Sequence, residues 1–466
     1  MRRHLLTEQT ILFITIAKWL ILATIVGIIV GLSTTAFLKL LSISLDANEG
    51  FYYYFLLLPI AMAISIGMIK YLAPEAEGHG TEKVIESVHK HSGKTPPAVV
   101  PVKLIATIIT LAAGGSVGKE GPCAQIGAGC SSIFADIFRF NDHDRRKLVI
   151  CGISAGFASV FGTPIAGSIF GVEVLFVGSL LYDVLLPSFV AGIISYQISS
   201  DLGITYFHHP IFVVPKFTEW FFLLVVLAGV MSGLWSGVLI GLLNAGENVA
   251  SRLQLSPPIK GFIGGCVLIA LTFATSRRYL GLGLDTIESS LEGTSHGWLA
   301  PAMKAIFTSI TLSFGGSGGI VTPIFFIGAT SGAALAKLLG LDVATFAAIG
   351  LVSLLAGAAQ TPIAASIMAI ELFGAGIAPY AAIACIVSFL MTGHRSVYPS
   401  QVLAMKKSAS LDVAVGEVIE NVEAQYRMQG SSTVDIIARA ISNLRAWALR
   451  LLRRTDDGAA PPKPRA

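Results

Sequence analysis

An ionisable side chain set among glycines inside an apolar stretch is the first place to look for chemistry. Glu120 is such a residue: it lies in Gly114-Gly115-Ser116-Val117-Gly118-Lys119-Glu120-Gly121-Pro122, with apolar sequence on both sides. A carboxylate at membrane depth is a functional candidate by default; the alternative is a loop residue in a polar vestibule. Glycine permits tight turns and close approach of the backbone to a ligand, and proline is tolerated in the first turn of a helix. The stretch reads as a loop running into a helix start. Such a start offers unpaired N–H groups and about half a positive charge, so it can hold an anion without a lysine. Gly118, Lys119 and Gly121 are the candidate anion-holding residues around Glu120.

The stretch occurs twice. Gly315-Gly316-Ser317-Gly318-Gly319-Ile320-Val321-Thr322-Pro323, followed by Ile327-Gly328-Ala329, matches Gly114–Pro122 and Ile126-Gly127-Ala128 at an offset of 201, with 8 of 15 aligned positions identical. Thr163-Pro164-Ile165-Ala166, with Ser168, Ile169 and Glu173, matches Thr361-Pro362-Ile363-Ala364, with Ser366, Ile367 and Glu371, at an offset of 198. Two matches in the same order at nearly the same offset divide the chain into related halves. Duplicated halves are the plan of many transporters, whose sites lie where Gly/Pro-interrupted helices end near the bilayer midplane. The second copy adds Gly319, Ile320 and Val321 to the candidate anion donors. The competing explanation is that the glycines only let membrane helices pack closely.

The elements that must position these residues are apolar helices. Of 466 residues, 54% are hydrophobic and 13% charged, with a net charge of +4 and a mean hydropathy of +0.74. Soluble proteins carry about 25% charged residues, so a soluble enzyme, a disordered scaffold and a nucleic-acid binder are excluded. Uncharged runs such as Trp19–Leu38, Gly50–Ile69, Trp220–Gly246 and Ala305–Ala336 are long enough for spans of about 20 residues. They do not alternate polar with apolar, which excludes barrel strands. The expected fold is all-α: a polytopic membrane protein with a cytoplasmic N-terminus (1–14), two membrane halves (15–205 and 206–400) and a cytoplasmic tail (401–466). Arg2, Arg3, the DHDRRK run at 142–147 and the basic tail place both termini in the cytoplasm by the positive-inside tendency, in a cell membrane. In the tail, Ile437, Ile441, Leu444, Ala448 and Leu451 form one helical stripe.

Other candidates are weaker. His79, between Gly78 and Gly80, either lines a pathway or is a satisfied structural histidine. Glu173 and Glu371 occupy equivalent places and either make contacts between helices or carry protons. The GGSVGKE run fails as a phosphate-binding loop, because its spacing is one residue short and Glu120 stands where Ser or Thr is needed. His208-His209 lacks a neighbouring carboxylate or thiol, and no metal or cofactor is called for. A Ser–His protease pairing of His79 with Ser317 is explained better by the repeat. The five cysteines show no CxxC spacing and read as buried thiols.

Gly118-Lys119-Glu120-Gly121-Pro122 resembles the GKEGP or GREGP motif of the CLC family of chloride channels and chloride/proton antiporters. Gly319–Pro323 is similar to that family's GxFxP, with Val321 for the aromatic residue. Pro101-Val102-Lys103, Phe161–Gly167 and Tyr398 resemble further family segments, so the likeness spans about residues 15–400. The resemblance implies a homodimer with one pore per subunit and inverted halves. It implies chloride held by the N–H groups of Ile320 and Val321 and by the Tyr398 hydroxyl, with Glu120 as the gating glutamate. The short tail has no room for the paired CBS domains of eukaryotic members, which implies a prokaryotic form. Three departures matter: His79 replaces a chloride-binding serine, Glu82 replaces a proline, and Val174 stands where antiporters often carry a proton-transfer glutamate. The Glu82 charge is expected to repel chloride and to slow transport. A tethered carboxylate competing with chloride for the same N–H groups favours chloride/proton exchange; the alternative is a passive chloride channel.

Overall fold

The computed structural model describes residues 2–48, 50–211, 216 and 218–427. Sixteen α-helices occur among them, eight in each half. The first half contains α1 (Arg2–Asp46), α2 (Leu58–Leu72), α3 (Thr81–Lys90), α4 (Val99–Ala112), α5 (Glu120–Ile137), α6 (Asp142–Phe161), α7 (Pro164–Glu173) and α8 (Tyr182–Asp201). The second contains α9 (Glu219–Arg252), α10 (Pro257–Ala274), α11 (Leu284–Leu291), α12 (Leu299–Ser313), α13 (Val321–Leu339), α14 (Val343–Ala358), α15 (Pro362–Phe373) and α16 (Ala378–Thr392). The order of long, short and interrupted helices is the same in both.

Packing repeats with the order. The helix pairs α1–α8, α5–α6 and α6–α7 have counterparts in α9–α16, α13–α14 and α14–α15, while α2 meets α10 and α7 meets α15 across the halves. Among the described residues, six helical segments are long and apolar enough to cross a membrane. Their surroundings differ sharply. The most apolar part of α13 is 89% buried within the protein, against 28% for α10. The interrupted helices thus form the centre, and long apolar helices such as α1, α2 and α10 face outward.

The joint between the halves is a set of reciprocal hydrogen bonds. Gly118 N–H donates to Gly319 O at 2.7 Å and Gly319 N–H to Gly118 O at 2.6 Å. Ser116 N–H donates to Thr311 Oγ1 at 3.2 Å, and Ser317 N–H to Thr110 Oγ1 at 3.1 Å. Hydroxyls pair the same way, Thr107 with Ser317 and Ser116 with Thr308. Each bond has its mirror at the offset of 201, as expected of two inverted repeats meeting on a two-fold axis. Gly114 and Gly315 both take a positive φ, +95° and +92°, the conformation glycine adopts freely. That turn aims each loop at the axis.

α1 begins at Arg2, and Ile11, Leu12, Phe13 and Ile14 are exposed apolar residues on it. Two of the five cysteines depart from the expectation of buried thiols. Cys266 is exposed, on the outer helix α10, and Cys130 is half-buried. Residues 401–427 fold back on the membrane part: β2 (Val402–Leu403) pairs in parallel with β1 (Phe176–Val177), and β3 (Leu411–Asp412) pairs antiparallel with β4 (Gln425–Tyr426). The stripe from Ile437 to Leu451 lies outside the described residues.

Candidate functional site

The two interrupted helices α5 and α13 start side by side at the joint, each with a proline at its third residue. First-turn N–H groups have no acceptor in the preceding turn, and the two starts place them around one point. Glu120, fully buried, fills that point. Its Oε1 accepts from Thr322 N–H at 2.7 Å and its Oε2 from the Thr322 hydroxyl at 2.7 Å. A Cβ placed on Gly118 would stand 2.0 Å from Glu120 Oε1, and one on Gly319 2.7 Å from it. Only glycine at both positions leaves room for the carboxylate. An anion, here the protein's own, already occupies the positive end of α13.

The expected anion donors divide into two groups. Gly118 and Gly319 do not offer their N–H groups, because each has spent it on the other's carbonyl. The two-fold axis sets them face to face, which a sequence match cannot reveal. Their contribution is space. Gly121 likewise provides close approach: a Cβ there would lie 2.0 Å from His79 O. Ile320 and Val321, both buried, stand at the very start of α13 with their N–H groups pointing back along the helix axis. Lys119 precedes α5 and lines a neighbouring cavity of about 280 Å³ with Lys39, Ser42 and Asp46.

His79 and Tyr398 approach from one side. Their rings lie 6.2 Å apart at 63°. His79 Nδ1 and Tyr398 Oη are buried with no hydrogen-bond partner among the described residues. Buried polar atoms are rarely left unpaired, and here two of them share one place. Gly78 and Gly80, at φ +74° and +83°, turn the loop so that α3 starts against α5. A Cβ on Gly80 would meet Gly121 O at 2.5 Å.

Two buried lysines hold the loops in place. Lys103 Nζ, on α4, donates to Ala76 O at 3.0 Å and Gly78 O at 2.7 Å. Lys304 Nζ, on α12, donates to Tyr279 O at 3.2 Å and Gly281 O at 2.8 Å. Both lysines are fully buried, and their offset is again 201. Gly281-Leu282-Gly283-Leu284-Asp285 is thus the second-half counterpart of Gly78-His79-Gly80-Thr81-Glu82. The lysine pair carried a signal that could have been found: a lone cation in each of two apolar helices at the repeat offset. Thr322 carried none, since its repeat partner is Gly121 and a hydroxyl at a helix start is ordinary.

Glu173 and Glu371 cap each other's helices. Glu173 accepts from Ile363 N–H at 3.0 Å and Ala364 N–H at 2.7 Å, at the start of α15. Glu371 accepts from Ile165 N–H at 2.9 Å and Ala166 N–H at 2.8 Å, at the start of α7. Both oxygens of Glu173 are engaged, so it binds two helices together. Glu82 lies in the first turn of α3. Its Oε1 accepts from Ser400 N–H at 2.9 Å and from the Ser400 hydroxyl, while Lys83 pairs with Glu86. The Glu82 charge is held on Ser400 and does not stand free at the start of α3.

The sequence profile of the family described as "Voltage gated chloride channel" matches residues 60–393. A protein of Pseudomonas syringae pv. tomato named "Chloride/fluoride channel protein" is 38% identical over 403 residues, covering 84% of this chain and 88% of that one. The "Voltage-gated ClC-type chloride channel ClcB" of Salmonella typhi is 27% identical, covering 81% and 97%. A crystal structure of a CLC-type fluoride/proton antiporter superposes with a TM-score of 0.79 at 29% identity, over 83% of this chain and 98% of that one. A slow cyanobacterial Cl−/H+ antiporter shares the fold, with a TM-score of 0.71 at 21% identity over 80% and 94%.

Proposed function

This multi-pass membrane protein belongs to the voltage-gated chloride channel (CLC) family, and from that premise we propose that it exchanges chloride for protons, with the Glu120 carboxylate as the gate. The observation that carries this reading is the seat of Glu120: a fully buried carboxylate on the N–H and hydroxyl of Thr322, at the positive end of α13. Ionised, it competes with chloride for that seat. Protonated, it loses its negative charge and the strength of both bonds, and it vacates the seat. Chloride then takes the position, held by the N–H groups of Ile320 and Val321, the Tyr398 hydroxyl and His79 Nδ1 in the tautomer that carries a proton there. Proton and anion alternate at one place, which couples their opposite movement.

The unit is a homodimer in a cell membrane with both termini cytoplasmic, in line with the basic residues at 2, 3 and 145–147. A passive chloride channel is the runner-up, favoured by Val174, a buried aliphatic residue where a proton-transfer carboxylate would be expected. Fluoride is the second candidate halide, because fluoride stands in the names of two of the relatives above. Glu120→Gln tests the gate in liposomes holding the purified protein. Proton uptake driven by a chloride or fluoride gradient should vanish while halide flux persists. Proton uptake that survives in Glu120→Gln would remove Glu120 as the gate. Wild type with halide flux but no proton movement would be the channel. The halide giving the larger coupled flux in wild type is the substrate.

A further inference from the structure

We infer that Glu82 is a positioning residue for Tyr398, holding the segment that carries the tyrosine hydroxyl against the helix start that carries His79. This inference rests on the assignment of Tyr398 to the anion site. Three of the holds on the segment after α16 lie close to Tyr398. Val397 N–H donates to Ala358 O at 2.9 Å, at the end of α14. Gln401 Nε2 donates to Val174 O at 2.7 Å and to Ala359 O at 3.0 Å. Those two fasten it to the ends of α7 and α14. The third is Glu82, 318 residues away in sequence, which takes both the N–H and the hydroxyl of Ser400. Ser400 lies two residues past Tyr398, and Glu82 three past His79. This contact ties the segment that carries the tyrosine to the helix start just past the histidine.

The second half supplies an internal comparison. Asp285 occupies the position of Glu82 at the start of α11, and there the carboxylate is exposed. An acidic residue in a first turn needs no further explanation than the helix dipole. Glu82 does more, because its longer side chain reaches a partner on another element. Its Oε2 is buried without a partner, so the contact with Ser400 is retained although the carboxylate is not fully satisfied. The hydroxyl of Tyr398, itself without a partner, must meet the anion at hydrogen-bond distance, and an error of a few tenths of an ångström there weakens the bond.

Calorimetric titration of the purified full chain with sodium chloride tests this. Glu82→Ala should lower chloride affinity about tenfold, the weight of one hydrogen bond to an ion. Glu82→Gln keeps an oxygen for both Ser400 donors and should restore affinity to within about twofold of wild type. In a Tyr398→Phe background, Glu82→Ala should add nothing, since the hydroxyl it places is gone. An unchanged affinity in Glu82→Ala, or a loss that adds fully to that of Tyr398→Phe, would overturn the role of Glu82 and leave Tyr398 in the site. A Tyr398→Phe protein with wild-type affinity would instead remove Tyr398, and with it any action of Glu82 through the hydroxyl. Should Glu82→Ala fail to fold, Ser400→Ala removes only the hydroxyl bond. It should lower affinity about threefold in the wild-type background and not at all with Tyr398→Phe; no loss in the wild-type background would overturn the proposal.

Discussion

The starts of α5 and α13 share one backbone and differ in three side chains. Both follow a Gly-Gly-Ser turn, both carry a proline at the third residue of the helix, and their preceding glycines bond to each other. At the offset of 201, however, Lys119 faces Ile320, Glu120 faces Val321, and Gly121 faces Thr322. One start brings the carboxylate, and the other brings the hydroxyl and the N–H that receive it. The duplication built a symmetric frame, and the chemistry lies where the copies have diverged. Residues that belong to the frame should behave alike in both halves, and residues that belong to the site should not.

The largest expected effect comes from the buried lysines. Lys103→Met and Lys304→Met each deprive two carbonyls of an ammonium partner, and each should destabilise the protein by about 3 kcal/mol or more, read as a lower unfolding temperature in detergent. Their functional effects should separate. Lys103 holds Gly78, next to His79, so its loss should also weaken chloride binding, whereas Lys304→Met should leave the affinity near wild type. Equal effects on binding would mean that the second-half loop belongs to the site. Thr322→Val comes next. It removes the hydroxyl bond to the Glu120 carboxylate, worth about 1.5 to 3 kcal/mol, so an added anion should displace Glu120 more easily and bind about tenfold more tightly. Titration calorimetry reads this directly, and an unchanged affinity would show that the hydroxyl does not restrain the gate. The smallest effect tests the frame alone. Thr107→Val breaks the bond to Ser317, and Thr308→Val breaks its mirror to Ser116. Each should cost about 1 kcal/mol of stability with no change in halide affinity. A clear difference between the two unfolding temperatures would mean that the joint is not symmetric in energy.

The sequence carried the repeat, the interrupted helices and the carboxylate at their meeting point, because each leaves a local mark: a glycine turn, a proline, or a charge in apolar surroundings. It could not carry contacts made across the two-fold axis. Gly118 and Gly319 read as anion donors on local grounds, and only their juxtaposition shows that their N–H groups are spent. Thr322 meets Glu120 across 202 residues, and Glu82 meets Ser400 across 318, without any periodicity to announce either. The bonds of Glu173 to Ile363 and Ala364 likewise cross between the halves and leave no mark in the sequence.

The crosswise caps have a mechanical consequence. Glu173 of the first half grips α15 of the second, and Glu371 of the second grips α7 of the first, so the halves are braced like the two leaves of a scissor truss pinned at both diagonals. A transporter that alternates by rocking its halves would have to tear both pins in each cycle. A braced body suits the gate proposed above, in which the scaffold stays still and one side chain turns about its own bonds. On that reading, stretching or thinning the surrounding bilayer, which would load a rocking hinge, acts on a strut that does not move during the cycle.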